Sequence, residues 1–357
     1  MKHTPWIAAL AVIINSSCEK RPSPFVPATS KPSTTEETAP EGPAFQFPTA
    51  NRELLRTGGE VNFFTPTNPE RPWSSGAFGC VRNSGTRLHE GIDIMSLKRD
   101  DDGESVDAVM SSRSGKVVHI NRNISASNYG KYIVLLHEIE RFPIYTLYAH
   151  LRKVKGSLAV GDTLDAGAIL GTLGRTSNTK EGIPRERAHL HFEIGIQVNP
   201  KFSQWFDGWY KGGNNFHGNW NGLNLLGLDA AAILKQADAG SFKMLEHLNK
   251  EKHLCRILIF NKTFNWLKQF PQLIEDRNPK NTKAIQAWEL DLNFNGIPVR
   301  AVPIRDEIHS GGAKYRILHV DKKILNMHPC SGLVFLKGQQ WVFTAKGRRS
   351  LDLLLFR

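Results

Sequence analysis

Five residues between Leu88 and Gly195 have the types and spacing to do chemistry on a polar bond. They are His89 and Asp93, four apart; His150, alone within Tyr148-Ala149-His150-Leu151; and His189 and His191, two apart. On a strand, residues separated by an even number share a face, because side chains alternate with period two. Each pair can therefore aim both of its polar groups the same way. Histidine nitrogens and a carboxylate oxygen are donors that zinc accepts, and a catalytic zinc keeps one further position for water. Three histidines and an aspartate suffice for such a site, and one histidine is left over for acid–base work. A centre of two neutral histidines and one aspartate stays net positive, so it lowers the pKa of bound water toward ~7 and polarises a carbonyl.

The text around these residues reads as strand. Ile92 and Ile94, and then Leu190, Phe192, Ile194 and Ile196, alternate with polar or small residues, the pattern of a sheet with one apolar face. The helical zinc-peptidase signature His-Glu-x-x-His is absent. His89-Glu90 is followed by aspartate at 93, and His137-Glu138 by arginine at 141. A glutamate base in that arrangement is unavailable, and the remaining histidines must move the protons.

Taken together, His89-x-x-x-Asp93, Tyr148-Ala149-His150-Leu151 and His189-Leu190-His191-Phe192-Glu193 resemble the lysostaphin-type (LytM-like) zinc endopeptidases. The glycine punctuation agrees: Phe78-Gly79 before the first motif, Gly115 after it, and Gly161, Gly167, Gly171 and Gly174 ahead of the last. The resemblance covers roughly residues 75–200. It implies a small antiparallel β domain with a groove, one Zn2+ per chain, and hydrolysis of peptide cross-links in bacterial peptidoglycan. By the same resemblance His89, Asp93 and His191 are the zinc ligands, and His150 and His189 are the catalytic histidines. Two segments depart from the pattern: a long charged loop, Ser177–Arg187, and an acidic loop, Asp100–Glu104. Both fall where a groove wall belongs, so substrate specificity does not carry over.

The elements that must position these residues fit within 357 residues, enough for two domains of ordinary size. With 40% hydrophobic and 22% charged residues, the composition is that of a globular protein. The fold class expected is mainly β or α+β. Residues 1–18 read as a secretion signal: Lys2, an apolar run Trp6–Ile14, then Ser16-Ser17-Cys18. Small residues before Cys18 resemble a lipoprotein cleavage box, and a lipid on Cys18 would be the only tie to a membrane. Residues 19–45, rich in Pro, Ser, Thr and Glu, read as a flexible linker. The zinc endopeptidase domain is expected over 46–205, an aromatic and Gly-rich connector with a helix over 206–250, and a basic α+β domain over 251–357. Export places the protein in the cell envelope or outside the cell and permits a disulfide. Cys255 and Cys330 are the expected pair, with two buried thiols as the alternative. Cys80 is not expected to be a ligand.

The other histidines follow no ligand spacing, and His137 sits on a strand-like run, Tyr132–Leu136. Asp100–Asp102 lacks the distal glutamate of a calcium loop and reads as a solvated turn. The aromatics of 203–240 (Trp205, Trp209, Tyr210, Phe216, Trp220) suit packing better than a sugar-binding shelf. Ala230–Leu248 reads as helix broken at Gly240, and Asn293-Phe294-Asn295-Gly296 as a hairpin turn. Charge is uneven: residues 240–357 hold 20 Lys+Arg and 10 Asp+Glu, +10 of the total +12. Adhesion to an anionic polymer of the envelope is the functional reading, and nucleic acid is not expected as a partner of an exported chain. A different class of function is a non-catalytic peptidoglycan-binding or amidase-activating protein of the same fold. Such proteins lose ligands, whereas this chain keeps all five positions.

Overall fold

The computed structural model describes residues 44–260 and 262–357; the signal, Cys18 and nearly all of the linker lie outside them. Strands dominate. In chain order they are β1 (Gly79–Arg82), β2 (Arg87–His89), β3 (Ile92–Met95), β4 (Ala108–Met110), β5 (Gly115–Asn121), β6 (Tyr132–Ile139), β7 (Phe142–Ala149), β8 (Lys153–Val154), β9 (Thr163–Leu164), β10 (Ile169–Thr172), β11 (His189–Gln197) and β12 (Leu225–Leu228), then β13 (His253–Ile259), β14 (Ala287–Asn293), β15 (Pro298–Ile304), β16 (Tyr315–Val320), β17 (Val334–Lys337) and β18 (Gln340–Phe343). The class is the mainly β, α+β one that the alternating pattern predicts.

A seven-stranded antiparallel sheet carries the polar residues, in the order β12-β11-β7-β6-β5-β9 with β3 also paired to β11. Its register sets two faces. Ile133, Leu135, Ile144, Tyr148, Leu190, Phe192 and Ile194 point into the large core. Tyr132, Val134, Tyr145, Leu147 and Ala149 form a smaller cluster on the opposite face, flanked by Tyr129 and Trp220. His191 and Glu193, alternating with Leu190 and Phe192, share that second face. Gly91 lets β3 approach β11: a Cβ there would stand 2.3 Å from the Phe192 carbonyl oxygen and 2.8 Å from Glu193 Cγ.

The C-terminal sheet has the order β15-β14-β13-β16, and β17 pairs with β18. The turn at Asn293–Gly296 joins β14 to β15 as expected, with Gly296 at φ 87°. Helices Ala230–Asp238 and Met244–Asn249 flank the expected break at Gly240. This sheet does not stand apart from the first. One buried cluster runs through both, Asn199 Nδ2 donates to the carbonyls of Leu353 and Phe356, and Trp205 Nε1 donates to Asp352. Trp205 is thus a packing residue, whereas Trp209 and Phe216 are exposed.

The disulfide differs from expectation. Cys80 bonds to Cys330, 250 residues away, and Cys255 is a buried free thiol. Cys255 lies inside β13 with its side chain in the core, while Cys330 lies in the loop before β17 and faces the β1–β2 hairpin. Proximity in sequence was the wrong guide. Among the described residues no helix is long and apolar enough to cross a membrane.

Candidate metal centre

Three strands deliver three donors. The β1–β2 hairpin pairs Gly79 with His89, and β11 pairs His191 with Asp93 on one side and with Ala149 on the other. His89 Nε2 lies 3.1 Å from Asp93 Oδ1 and 3.1 Å from His191 Nδ1, which is 3.0 Å from Asp93 Oδ1. All three side chains are buried. Among the described residues this is the group whose donor atoms lie close enough to hold a metal ion together.

The outer nitrogens are fixed. His89 Nδ1 lies 2.7 Å from the Ala77 carbonyl; a carbonyl only accepts, so Nδ1 carries the hydrogen and Nε2 offers its lone pair inward. His191 Nε2 donates to Glu193 Oε1 at 2.9 Å, which turns Nδ1 toward Asp93. Glu193 in turn accepts from the hydroxyls of Tyr129 (2.6 Å) and Tyr145 (2.7 Å). Two imidazole nitrogens and a carboxylate thus converge, each oriented from behind, the donor set and outer shell that suit a tetrahedral nitrogen–oxygen metal. Burial pushes the Asp93 carboxyl up, but His89, His189, Arg82 and the His191 hydrogen bond outweigh it and hold it well below the usual range. Burial lowers His191, yet the hydrogen bonds to Asp93 and Glu193 carry it up to about 10. The centre calls for positive charge. Here Arg82 supplies part of it: Nη2 donates to Asp93 Oδ2 at 2.5 Å and to His89 Nε2 at 2.8 Å.

His150 and His189 stand beside this group with ring centroids 4.9 Å apart. His150 directly follows β7 at φ 61°, a left-handed conformation that costs a non-glycine residue ~1–2 kcal/mol. Its backbone N–H donates to the Tyr129 carbonyl and its Nδ1 to the Thr176 carbonyl, 2.8 Å away. Gly130 makes room for this: a Cβ there would meet the Thr176 oxygen at 2.2 Å. His189 repeats the device, Nδ1 donating to the Arg187 carbonyl at 2.7 Å, with Nε2 3.5 Å from Asp93 Oδ2. In both rings the Nε2 lone pair is free to take a proton. Burial pushes both below the ordinary histidine value, and neighbouring histidine charge adds to the effect at His150.

All five residues singled out in the sequence therefore line one open cleft of about 1390 Å³. Sequence reasoning missed Arg82, the backbone acceptors and the part played by Glu193. Glu193 was detectable, since it lies two residues beyond His191 and on the same face.

Residues 87–201 match the model of peptidase family M23. Over that stretch the chain is similar to peptidase family M23. The solved structures similar to it include the catalytic domain of lysostaphin from Staphylococcus simulans, 26% identical over 33% of this chain and 74% of that one, TM-score 0.22. A zinc-containing peptidase from Vibrio cholerae is 21% identical over 42% and 33%, TM-score 0.23. The catalytic domain of the prophage-encoded M23 protein EnpA from Enterococcus faecalis is 19% identical over 37% and 85%, TM-score 0.25. Among curated proteins nothing matches the chain. The two segments foreign to the family pattern meet within the matched residues. Glu104 accepts from Arg175 (2.8 Å) and Arg185 (3.2 Å), and Arg99 donates to the carbonyls of Arg185 and Glu186.

Proposed function

We propose that this chain is a zinc metalloendopeptidase that hydrolyses peptide cross-links of bacterial peptidoglycan. The observation that carries the reading is the convergence of His89, Asp93 and His191, oriented from behind, with two further histidines whose Nε2 atoms are unprotonated. Zinc held by those three residues would polarise the scissile carbonyl and bring the pKa of water toward ~7. Neutral His150 and His189 accept a proton from the attacking water at Nε2, and the protonated ring then donates to the carbonyl oxygen or to the leaving amine. Their Nδ1 hydrogens stay on backbone carbonyls, so the rings cannot turn away.

In the same reading, residues 46–205 hold the chemistry, and the basic region 251–357 holds the enzyme to an anionic envelope polymer. The chain is exported, and a lipid on Cys18 is its tether. The deciding experiment is digestion of purified peptidoglycan by the full chain, with released fragments identified by mass. Cleavage within the peptides that stops with a chelator and returns with zinc is the expected result. Absence of any chelator-sensitive product ends the proposal.

A further inference from the structure

The cleft is charged on one wall only. Arg71, Arg82, Arg87 and Arg187 line it together with the β1–β2 hairpin and the segment before it, and the acidic residues that line it are Glu90 and Asp93. Asp93 belongs to the metal centre. The facing wall, built from 126–129, 177–179 and 217–223, carries hydroxyl, amide and aromatic side chains and no Lys or Arg. It is stitched by neutral hydrogen bonds such as Ser177 Oγ to the Asn128 carbonyl and His217 Nε2 to the Ala126 carbonyl.

This asymmetry is not general basicity. Arginines a few residues away, behind the cleft, are matched with acids: Arg152 with Asp100, Arg175 and Arg185 with Glu104. Of those in the cleft, Arg82 is paired with Asp93 of the metal centre, but Arg187 and Arg87 are not matched with an acid. Arg187 is half-buried, donates Nε to the Pro66 carbonyl at 2.9 Å, and lies close enough to feel both Asp93 and Arg82. Its Nη groups, and the whole Arg87 guanidinium, have no acidic partner among the described residues. Holding unmatched guanidinium groups on one wall costs mutual repulsion unless an anion arrives. Guanidinium forks bind carboxylates bidentately, and such charge-assisted bonds contribute more than neutral ones.

We infer that the cleft selects peptides bearing a free carboxylate beside the scissile bond, with Arg187 and Arg87 as specificity-determining residues. Arg187, close to Arg82 and to the metal ligand Asp93, puts that carboxylate next to the reacting carbonyl, and the neutral wall takes the uncharged strand of the cross-link. The inference rests on the reading of the cleft as a peptide-hydrolysing site.

The test uses soluble cross-linked peptide fragments released from peptidoglycan and fluorescently labelled, either with free carboxylates or with the same groups converted to amides. Anisotropy with the full zinc-loaded chain should give about tenfold tighter binding of the carboxylate form, the effect of one charge-assisted contact. Arg87→Gln, at an exposed position, and Arg187→Gln should each shrink that gap while leaving the amide form unchanged. Equal affinity for the two forms overturns the inference, as does an equal loss for both forms in the variants. Hydrolysis, read separately by mass, keeps the two proposals apart. Selective binding without cleavage retires the enzyme and keeps the specificity; equal cleavage with equal binding does the reverse.

Discussion

At the residue scale the chemistry rests on partners as much as on the five obvious side chains. Replacing His89, Asp93 or His191 with Ala should abolish stoichiometric metal, while His150→Ala and His189→Ala keep metal and lose turnover; metal analysis of the five variants checks this. Glu193 is the next most informative position. It is fully buried, ionised through its bonds to His191, Tyr129 and Tyr145, and fixes the His191 ring. Glu193→Gln should weaken zinc affinity about 10–100-fold, the usual effect of removing an outer-shell partner, measured by chelator competition. Unchanged affinity would remove Glu193 from the site. His137 shows the opposite case, a buried histidine with a structural part. Its Nδ1 donates to the Ser114 carbonyl, its Nε2 accepts from Thr146, and burial lowers it to about 4. The unfolded chain therefore takes up a proton near pH 6.5 that the folded chain refuses until about 4. Stability is full above 6.5 and falls as the pH drops through that window, by roughly 3 kcal/mol at ~1.4 kcal/mol per pH unit. Denaturant midpoints of His137→Gln against the parent chain at pH 7 and 4.5 should differ in this pH slope.

At the element scale the alternating strands and their even spacings were legible because a sheet writes its two faces directly into the sequence. Thus His89 with Asp93, and His189 with His191, could each be assigned to one face before any coordinates. The glycines carry the part that spacing does not. Gly91, just before β3, lies against β11, so Gly91→Ala must push Phe192 or Glu193 away. A loss of about 2 kcal/mol or more in stability, with weaker metal binding, is the expected outcome by thermal melting and chelator titration. The groove walls were not legible, because ion pairs between distant loops leave no local pattern. Glu104 gathers Arg185 of the long loop and Arg175 just before it. Partly exposed pairs each contribute ~0–1 kcal/mol, so Glu104→Gln should barely move the melting temperature. It should instead speed tryptic cutting after Lys180, Arg185 or Arg187, seen by mass. Unaltered cleavage kinetics would mean that the clamp does not hold the loop.

At the scale of the whole molecule, the link between the C-terminal region and the metal centre is covalent. Cys80 belongs to the hairpin that ends in His89 and carries Arg82, and its partner Cys330 precedes β17. No sequence pattern announces a bond between residues 250 apart, since pairing depends on where two loops meet after folding. Cys255, the residue that sequence proximity favours, is instead held in the core, where burial pushes its thiol up to about 12. It should alkylate only after denaturation. A cross-link closing so long a loop removes chain entropy from the unfolded state equivalent to about 5 kcal/mol in the loop-closure model. The double variant Cys80→Ser/Cys330→Ser should therefore lower the denaturant midpoint substantially. Because the freed hairpin is the one that presents His89, it should also weaken zinc binding under conditions where the protein is still folded. A chain ending near residue 239 loses this bond and, in addition, the apolar surface, the Leu353 and Phe356 carbonyls that accept from Asn199, and the Asp352 carboxylate that accepts from Trp205. It should be less stable than the double serine variant. If the shortened chain melts as the full one does and holds zinc equally well, the C-terminal region is an attachment rather than a support of the metal centre.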